Sequence, residues 1–330
     1  MTKQHVLVIG AGVSGLTTAL ALLQAGHKVT IRCKEPGGQF AHTSISAYAM
    51  WVPIKMDGDP RIERWTGESF EAFKKLAGDT ATGVTMKPIY QLKTKKEAPW
   101  FAGKNAGNLC GFRHAEASEL PAGYADAYVL SSAPVIDPLV YMPWLYWQVH
   151  AAGGLFGQTE FKSLDGIHPQ YSVIVNCAGL GARELAKDAD VFPDRVQVVT
   201  IKSSNIDRVV IDDEGPNARA CIVPHNGYVK LGGVFDGPHE SYEGADLSTV
   251  QGIIDRCNAI APELKADQSQ VISVIRALRP ERKGWLPRVE VDRTICADGR
   301  PVIHNYGHDG MGYLLSHGIA AEIASYAANL

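Results

Sequence analysis

A glycine-rich turn near the start of the chain points most directly to chemistry. Its glycines have the spacing G-x-G-x-x-G, directly after the apolar run 6–9, and residues 28–32 form a second predicted strand beyond a helix-like segment. In a strand–helix–strand unit these glycines allow a tight turn, the approach of a pyrophosphate and close packing of helix on strand. The helix start offers free N–H groups to phosphates. The segment therefore predicts a dinucleotide site formed by Gly10, Ala11, Gly12, Val13, Ser14 and Gly15.

The end of the second predicted strand suggests a contact to the ribose. Glu35 lies 20 residues beyond Gly15, where an acidic side chain binds ribose hydroxyls in dinucleotide folds. Lys34 is the alternative, because a lysine at this position contacts a phosphate.

A second glycine-rich turn, at residues 304–313, bears on which dinucleotide is bound. Its sequence HNYGHDGMGY precedes a predicted helix, so it too presents a helix start. Such a turn stabilises negative charge at the pyrimidine end of a reduced flavin. This favours a flavin over a nicotinamide cofactor; a purely structural turn is the alternative.

Length and composition limit the class of protein to which these turns belong. A chain of 330 residues is long enough for about two domains, and 45% hydrophobic and 20% charged residues are ordinary for a globular protein. A net charge of -3 gives no reason to expect a nucleic-acid or membrane partner. The 6 cysteines lack C-x-x-C spacing and the 11 histidines lack metal-ligand spacing, so we expect reduced thiols and no metal. With no leader or membrane span recognised, a cytoplasmic location is expected.

The order of elements predicts an α/β fold. The nearly continuous apolar strand 173–179 is typical of a buried parallel sheet, and strands of the same parallel type are predicted at 6–9, 28–32 and 301–305. The segments 196–201 and 228–231 instead alternate. We therefore expect an FAD-binding Rossmann-like domain interleaved with a substrate domain built on a mixed or antiparallel sheet. The predicted bounds are 1–50, 135–190 and 270–330 for the first domain, and 51–134 and 191–269 for the second. Helices are expected at 61–76, 139–152, 247–261 and 313–328, and further strands at 85–94 and 109–114.

Motifs along nearly the whole chain resemble those of the D-amino-acid oxidase family, which also includes D-aspartate oxidase. The C-terminal motif is the most specific of them. The matching segments are VIGAGVSGLTTAL (8–20), TS (43–44), AMWVP (49–53), GFR (111–113), VNCAG (175–179), RPER (279–282) and VIHNYGH (302–308).

The resemblance implies FAD as the cofactor and the oxidation of a D-amino acid. The α-hydrogen leaves as a hydride to flavin N5, dioxygen reoxidises the flavin to give hydrogen peroxide, and the imino acid hydrolyses to a 2-oxo acid and ammonia. A homodimer is compatible with the family. Beyond the first glycine turn and the 34–35 pair, it implies cofactor contacts from Thr43, Ser44, Ala49, Met50, Trp51, Phe161, Cys177, Gly179, Gly307, His308, Asp309, Gly310, Met311, Gly312 and Leu314.

For the substrate, the resemblance singles out Arg279 and Gly310. A guanidinium binds a carboxylate through two parallel hydrogen bonds, which fixes its orientation as well as its position. The family's carboxylate-binding arginine falls on Arg279, and the Gly310 carbonyl is expected to accept from the substrate amine. A structural ion pair is the alternative role for Arg279.

Three positions depart from the family pattern. Cys221 stands where a tyrosine usually holds the substrate carboxylate, so either Arg279 acts with less help or another group substitutes. The segment 212–220 is short and has no lid tyrosine, and Leu314 replaces a threonine near the flavin pyrimidine. A thiol is a weak donor, and nothing in the sequence pairs Cys221 with a base, so a nucleophilic role is disfavoured.

These departures leave the substrate side chain open. If Arg219 or His225, which flank Cys221, points into the pocket, D-aspartate or D-glutamate becomes plausible; otherwise neutral or apolar D-amino acids are expected. Another amino or imino acid is a related alternative. A nicotinamide-linked dehydrogenase and a flavin-binding protein without turnover are the alternatives from other classes.

Overall fold

Two β-sheets form the framework of the computed structural model, which describes residues 3–34, 42–54, 58–238 and 244–330. The strands are β1 (His5–Ile9), β2 (Lys28–Cys33), β3 (Val84–Lys93), β4 (Phe112–His114), β5 (Asp126–Ile136), β6 (Leu155–Gln158), β7 (Val173–Asn176), β8 (Val191–Lys202), β9 (Val209–Asp212), β10 (Ala220–Pro224), β11 (Tyr228–Pro238), β12 (Val271–Arg282), β13 (Arg288–Asp292) and β14 (Val302–Tyr306). The α-helices are α1 (Val13–Gln24), α2 (His42–Ser46), α3 (Arg61–Leu76), α4 (Asn105–Cys110), α5 (Pro138–Ala151), α6 (Ala182–Leu185), α7 (Val250–Ile260) and α8 (Gly312–Ala328).

The first sheet has the order β13-β14-β7-β1-β2-β6. Its strands pair in parallel except for the antiparallel edge strand β13. Residues from β1, α1, α5 and α8 share one apolar core, while the other face of β1 and β7 packs against the segment 164–171. Burial on both faces explains why the central strands read as continuous apolar runs.

The second sheet has the order β12-β8-β11-β10-β9-β3-β5-β4. Its described pairs are antiparallel, apart from the parallel pair β3–β9. Helix α7 packs against β10 and β11 and fills a second apolar core. The chain passes from the first sheet (β1, β2) to the second (β3–β5), back to the first (β6, β7), again to the second (β8–β12) and finally to the first (β13, β14). The predicted α/β architecture with interleaved sheets is therefore confirmed.

Some elements differ from the sequence-based expectations. Strand β12 belongs to the second sheet, although it falls in the stretch 270–330 assigned to the FAD-binding domain. The predicted strand 109–114 was wrong in its first half, because α4 extends through Cys110 and β4 starts only at Phe112. Strands β5, β6, β9, β10, β12 and β13 were not predicted. In the described residues, no helix is both long and apolar enough to span a bilayer.

The contact between α3 and α8 holds the end of the chain in place. A Cβ added at Gly318 would overlap the backbone of Trp65, so α8 can carry no side chain at the point where it crosses α3. Beside this crossing, the Trp65 indole donates to the buried Glu322 carboxylate at 2.7 Å, and Arg61 Nη1 donates to it at 2.9 Å.

This crossing predicts opposite effects for two glycine-to-alanine substitutions. Gly318→Ala should lower the free energy of unfolding by about 2–3 kcal/mol, because an added methyl group forces the helices apart. Gly252→Ala, in α7, is the matched control, since its nearest neighbour would be Arg256 Nη1 at an ordinary 3.6 Å. That variant should gain about 0.5–1 kcal/mol from helix propensity. Urea denaturation of both variants measures the difference, and equal stabilities would contradict the close crossing.

Candidate functional site

One large cavity of ≈ 1090 Å³ opens where the two sheets meet. Its wall includes the carboxyl-end residues of β1, β2 and β14, together with residues of β8 and β12 from the second sheet. Ligands of open α/β sheets bind outside the carboxyl ends of the parallel strands. The volume lies at the upper end of the range for small-molecule and cofactor sites.

The first glycine turn fits closely against the neighbouring strand. Gly10 has φ +110, and a Cβ there would overlap the carbonyl oxygen of Cys177. A Cβ at Gly15 would overlap the carbonyl oxygen of Gly10. Both positions therefore exclude any side chain, and the start of α1 is left facing the cavity. Gly15 itself packs beneath the turn and is not part of the cavity wall.

A buried chain of polar groups ties the C-terminal glycine turn to α1. The amide nitrogen of Asn305 donates to Thr18 Oγ1 at 3.0 Å, and its oxygen lies 2.8 Å from His308 Nε2. The other ring nitrogen of His308 lies 3.5 Å from the Ser14 hydroxyl. Since the Asn305 oxygen is the acceptor, the proton of the neutral imidazole is assigned to Nε2. Burial lowers the pKa of His308 to about 4, so the ring is uncharged at neutral pH.

Helix α2 supplies a third part of the wall. The Ser44 hydroxyl accepts from the backbone N–H of Val13 at 3.1 Å, and the Ser44 carbonyl accepts from the Tyr313 hydroxyl at 3.0 Å. Thr43 donates to the carbonyl of Leu278 at 2.8 Å. The two predicted residues thus connect α1, α8 and β12 around the cavity.

Arg279 projects from β12 into a group of carboxylates. In the sheet it pairs with Asp194 on β8, and its guanidinium makes an ion pair with that carboxylate through Nη2 and a 3.1 Å hydrogen bond through Nε. Asp309 Oδ1 lies 3.3 Å from Nε. Glu281 completes the group, since carboxylate oxygens of the three acidic residues lie within 4.8 Å of one another. Burial and the neighbouring acidic groups raise the pKa of Glu281.

Most of the predicted site residues meet at this cavity. Met311 and Gly312 bring the start of α8 to it, and Lys34 lies in the wall with Glu160 3.7 Å from its ammonium. The predicted residues in the wall are Gly10, Ala11, Gly12, Val13, Ser14, Lys34, Thr43, Ser44, Ala49, Met50, Phe161, Cys177, Gly179, Arg279, His308, Asp309, Gly310, Met311, Gly312 and Leu314.

Three described residues of the prediction besides Gly15 lie outside the cavity wall. Trp51 is buried behind the wall and donates to the carbonyl of Thr66 at 2.9 Å. Gly307 packs against Arg282, where an added Cβ would be 2.8 Å from Cβ of that arginine. Cys221 is a buried thiol outside the wall, and burial raises its pKa well above the usual value. Glu35 falls outside the described residues.

The two cations considered for an acidic side chain do not reach the cavity. Arg219 is exposed on the turn before β10, and neither it nor His225 is part of the wall. Burial lowers the pKa of His225 to about 4, so its imidazole is neutral at pH 7, with its centroid 4.8 Å from that of Tyr228.

Sequence reasoning missed several residues of the wall. The most consequential wall residue is Tyr48. Outside the wall, sequence reasoning also missed the two acidic residues beside Arg279, Asp194 and Glu281. Nothing in the one-dimensional pattern marks Asp194, because it meets Arg279 only through the pairing of β8 with β12. The apolar wall residues Val196 and Val198 did stand in a predicted alternating strand, which was the available signal.

Buried neutral histidines predict that acid lowers stability. In the unfolded chain His308 has an ordinary pKa near 6.5, above its folded value of about 4, so the unfolded state takes up the proton first. Stability is therefore complete above pH 6.5 and is lost as the pH falls towards 4. Between pH 7 and pH 5 the loss is about 2 kcal/mol for one such group.

His308→Gln should remove the contribution of this histidine to the loss of stability between pH 7 and pH 5. His317→Gln is the matched variant, because burial also lowers the pKa of His317 to about 4, but its Nε2 bonds the Tyr141 hydroxyl at 3.0 Å away from the cavity wall. Urea denaturation at pH 7 and pH 5 compares wild type with both variants. An unchanged pH dependence in either variant would mean that folding does not lower the pKa of that histidine.

Comparison with known proteins places this geometry in context. Residues 5–326 match the model of the DAO family, described as FAD dependent oxidoreductase. The chain is 35% identical over 323 residues to a D-amino-acid oxidase of Rubrobacter xylanophilus, covering 97% of this chain and 95% of the relative. It is 33% identical over 326 residues to a D-amino-acid oxidase of Streptomyces coelicolor, covering 98% and 97%. The crystal structure of glycine oxidase from Bacillus cereus shares the fold, with a TM-score of 0.76 at 18% identity, covering 99% of this chain and 95% of that one.

Proposed function

Since the chain belongs to the DAO family of FAD-dependent oxidoreductases and uses FAD as its cofactor, we propose that it is an oxidase of neutral D-amino acids. The reaction would take place in the cavity where the two sheets meet. The observation that carries the proposal is the position of Arg279, which lines the same cavity as the two glycine turns. Relatives named as D-amino-acid oxidases, at 33–35% identity over nearly the whole chain, support this substrate class.

The residues of the cavity fit FAD. The turn 10–15 presents the helix start to the pyrophosphate, and Gly10 and Gly15 leave no room for side chains that would block it. Lys34 at the end of β2 is placed for the adenosine half, and the turn 308–312 for the flavin ring. When bound, FAD supplies a two-electron acceptor that takes up the α-hydrogen as hydride and passes electrons on to dioxygen.

The protein's own part is to orient the substrate. Arg279 binds the α-carboxylate, and Asp194 on its Nε and Nη2 edge fixes the plane of the guanidinium. A Cβ added at Gly310 would be 3.0 Å from Arg279 Nη1, so the backbone of Gly310 lies close beside the guanidinium. This closeness allows one substrate to present its carboxylate to Arg279 and its amine to the Gly310 carbonyl. Two fixed contacts at the α-carbon, together with the need for the α-hydrogen to face the hydride acceptor, would supply the stereochemical control and much of the rate enhancement.

The wall favours neutral side chains. Val52, Ile54, Val196, Val198 and Ala277 provide apolar surface in the cavity. The three carboxylates near Arg279 repel a second negative charge, and Arg219 and His225 are not placed to attract one. D-aspartate and D-glutamate are therefore the disfavoured alternative within the family.

A panel of D- and L-amino acids tests the reaction. Peroxide should form with neutral, apolar D-amino acids, while their L-enantiomers and D-aspartate should give at least about tenfold lower kcat/KM, because they misplace the α-hydrogen or add a repelled charge. Anaerobic bleaching of the flavin by the same D-amino acid, without oxygen turnover, is the independent measurement. Higher activity with D-aspartate, or with L-enantiomers, would contradict the proposal.

Arg279→Ala tests how the substrate is held. Loss of a charge-assisted bidentate pair should raise KM by about 100-fold or more, which corresponds to about 3 kcal/mol, while FAD stays bound. Arg276→Ala is the control, because Arg276 lies on the same strand, pairs with Asp246 at 3.4 Å and is outside the cavity wall. A wild-type KM in Arg279→Ala would remove this arginine from the carboxylate role.

A further inference from the structure

Tyr48 is a part of the cavity wall that the motifs did not indicate. It follows α2, in the loop that leads to Trp51. Its hydroxyl oxygen is buried, and within the described residues it has no hydrogen-bond partner. A buried hydroxyl left without a partner costs free energy of folding, so such groups are rare unless a ligand satisfies them.

The surroundings of the hydroxyl show where it points. A Cβ added at Gly232 would overlap the Tyr48 hydroxyl and lie 3.1 Å from Cys221 Cβ. Gly232 and Cys221 are direct partners in the β10–β11 ladder. The phenol therefore ends beside this pair of strands. It lies next to Cys221, the position at which the family usually has a tyrosine.

The hydroxyl also lies in the field of Arg279. Burial raises the pKa of Tyr48 well above its ordinary value, while the positive charge of Arg279 acts in the opposite direction. The net effect keeps the proton on the oxygen. Tyr48 thus presents an O–H donor in the same cavity as the guanidinium, and both groups suit an anionic acceptor.

The loop that carries Tyr48 is held on both sides. The buried Lys230 ammonium donates to the carbonyl of Ile45 at 3.0 Å and to that of Ala47 at 2.6 Å. After Tyr48, the Ala49 carbonyl accepts from the N–H of Ile136 at 2.8 Å. These contacts fix the phenol before any ligand arrives, so a ligand would not bear the cost of ordering it.

We propose that the Tyr48 hydroxyl is the second donor to the substrate's α-carboxylate, acting together with Arg279. This inference rests on the proposed function, because it assumes that the anion in the cavity is the acid group of an amino acid. It also accounts for how a chain with Cys221 retains a hydroxyl donor at this place: the donor comes from the loop after α2 instead of from β10.

Tyr48→Phe in the FAD-bound protein tests the proposal. The probe is 2-aminoisobutyrate, which has the carboxylate and amine but no α-hydrogen, so binding can be titrated by the change in the flavin spectrum. Loss of one hydrogen bond to a charged group should raise its Kd, and the KM for the best D-amino acid, by about 10- to 100-fold. The Kd of FAD should change less than about twofold, and the melting temperature without ligand should be unchanged or higher, because the unpartnered hydroxyl is gone.

Tyr228→Phe is the matched control. Its hydroxyl bonds Asp137 at 2.5 Å, and Tyr228 is not part of the cavity wall. This variant should lose stability and keep the wild-type Kd for 2-aminoisobutyrate. The opposite signs of the two stability changes distinguish a ligand-binding hydroxyl from a structural one.

Three results would overturn the assignment of Tyr48. These are an unchanged Kd for 2-aminoisobutyrate, a loss of FAD affinity as large as the loss of probe affinity, and a stability loss like that of Tyr228→Phe. Failure of the proposed function is a separate result. If wild type binds the probe but oxidises no D-amino acid, the reaction is wrong, and the Kd of Tyr48→Phe still decides whether Tyr48 holds the carboxylate.

Discussion

The structure depends on one buried connection between the two ends of the chain. Asn305 and His308 on the C-terminal turn bond Thr18 and Ser14 on α1. A charged imidazole would be costly at this depth, and the neutral ring donates a hydrogen bond from its N–H to the Asn305 amide oxygen. The contact brings two helix starts, α1 and α8, to one cavity. The two glycine turns follow β1 and β14, which β7 separates in the sheet, and this connection joins them across that gap.

Arg279 illustrates how the surroundings of a charge define a site. A guanidinium facing an apolar cavity alone would attract many anions, but Asp194 and Asp309 balance its charge and fix its orientation. The guanidinium then binds an anion mainly through directional hydrogen bonds, which select among ligands by their shape as well as by their charge. The same carboxylates would repel a second acidic group on the substrate. The proposed selectivity for neutral substrates would then follow from the acidic residues around Arg279, and not from Arg279 alone.

Tyr48 and Cys221 show that a side chain on a loop can reach the place where a side chain on a strand was expected. A tyrosine on β10 was the expected donor, and this chain has a thiol there, buried and protonated. The phenol of Tyr48 ends beside the same backbone because Gly232 leaves space for it. Position in space, and not position in the sequence, determines which side chain faces the cavity.

The sequence by itself determined the α/β fold, the DAO family and FAD, because these depend on local patterns: glycine spacing, apolar runs and the C-terminal motif. It also predicted helices such as α3 and α8, whose periodicity is local. It missed β9 and β10, which are short, and β12, whose membership of the second sheet depends on pairing with β8. Only the tertiary structure brought Asp194 to Arg279 and Tyr48 to Gly232, because those neighbours are set by strand register and chain crossing between distant segments. Such contacts leave no periodic signal along the chain.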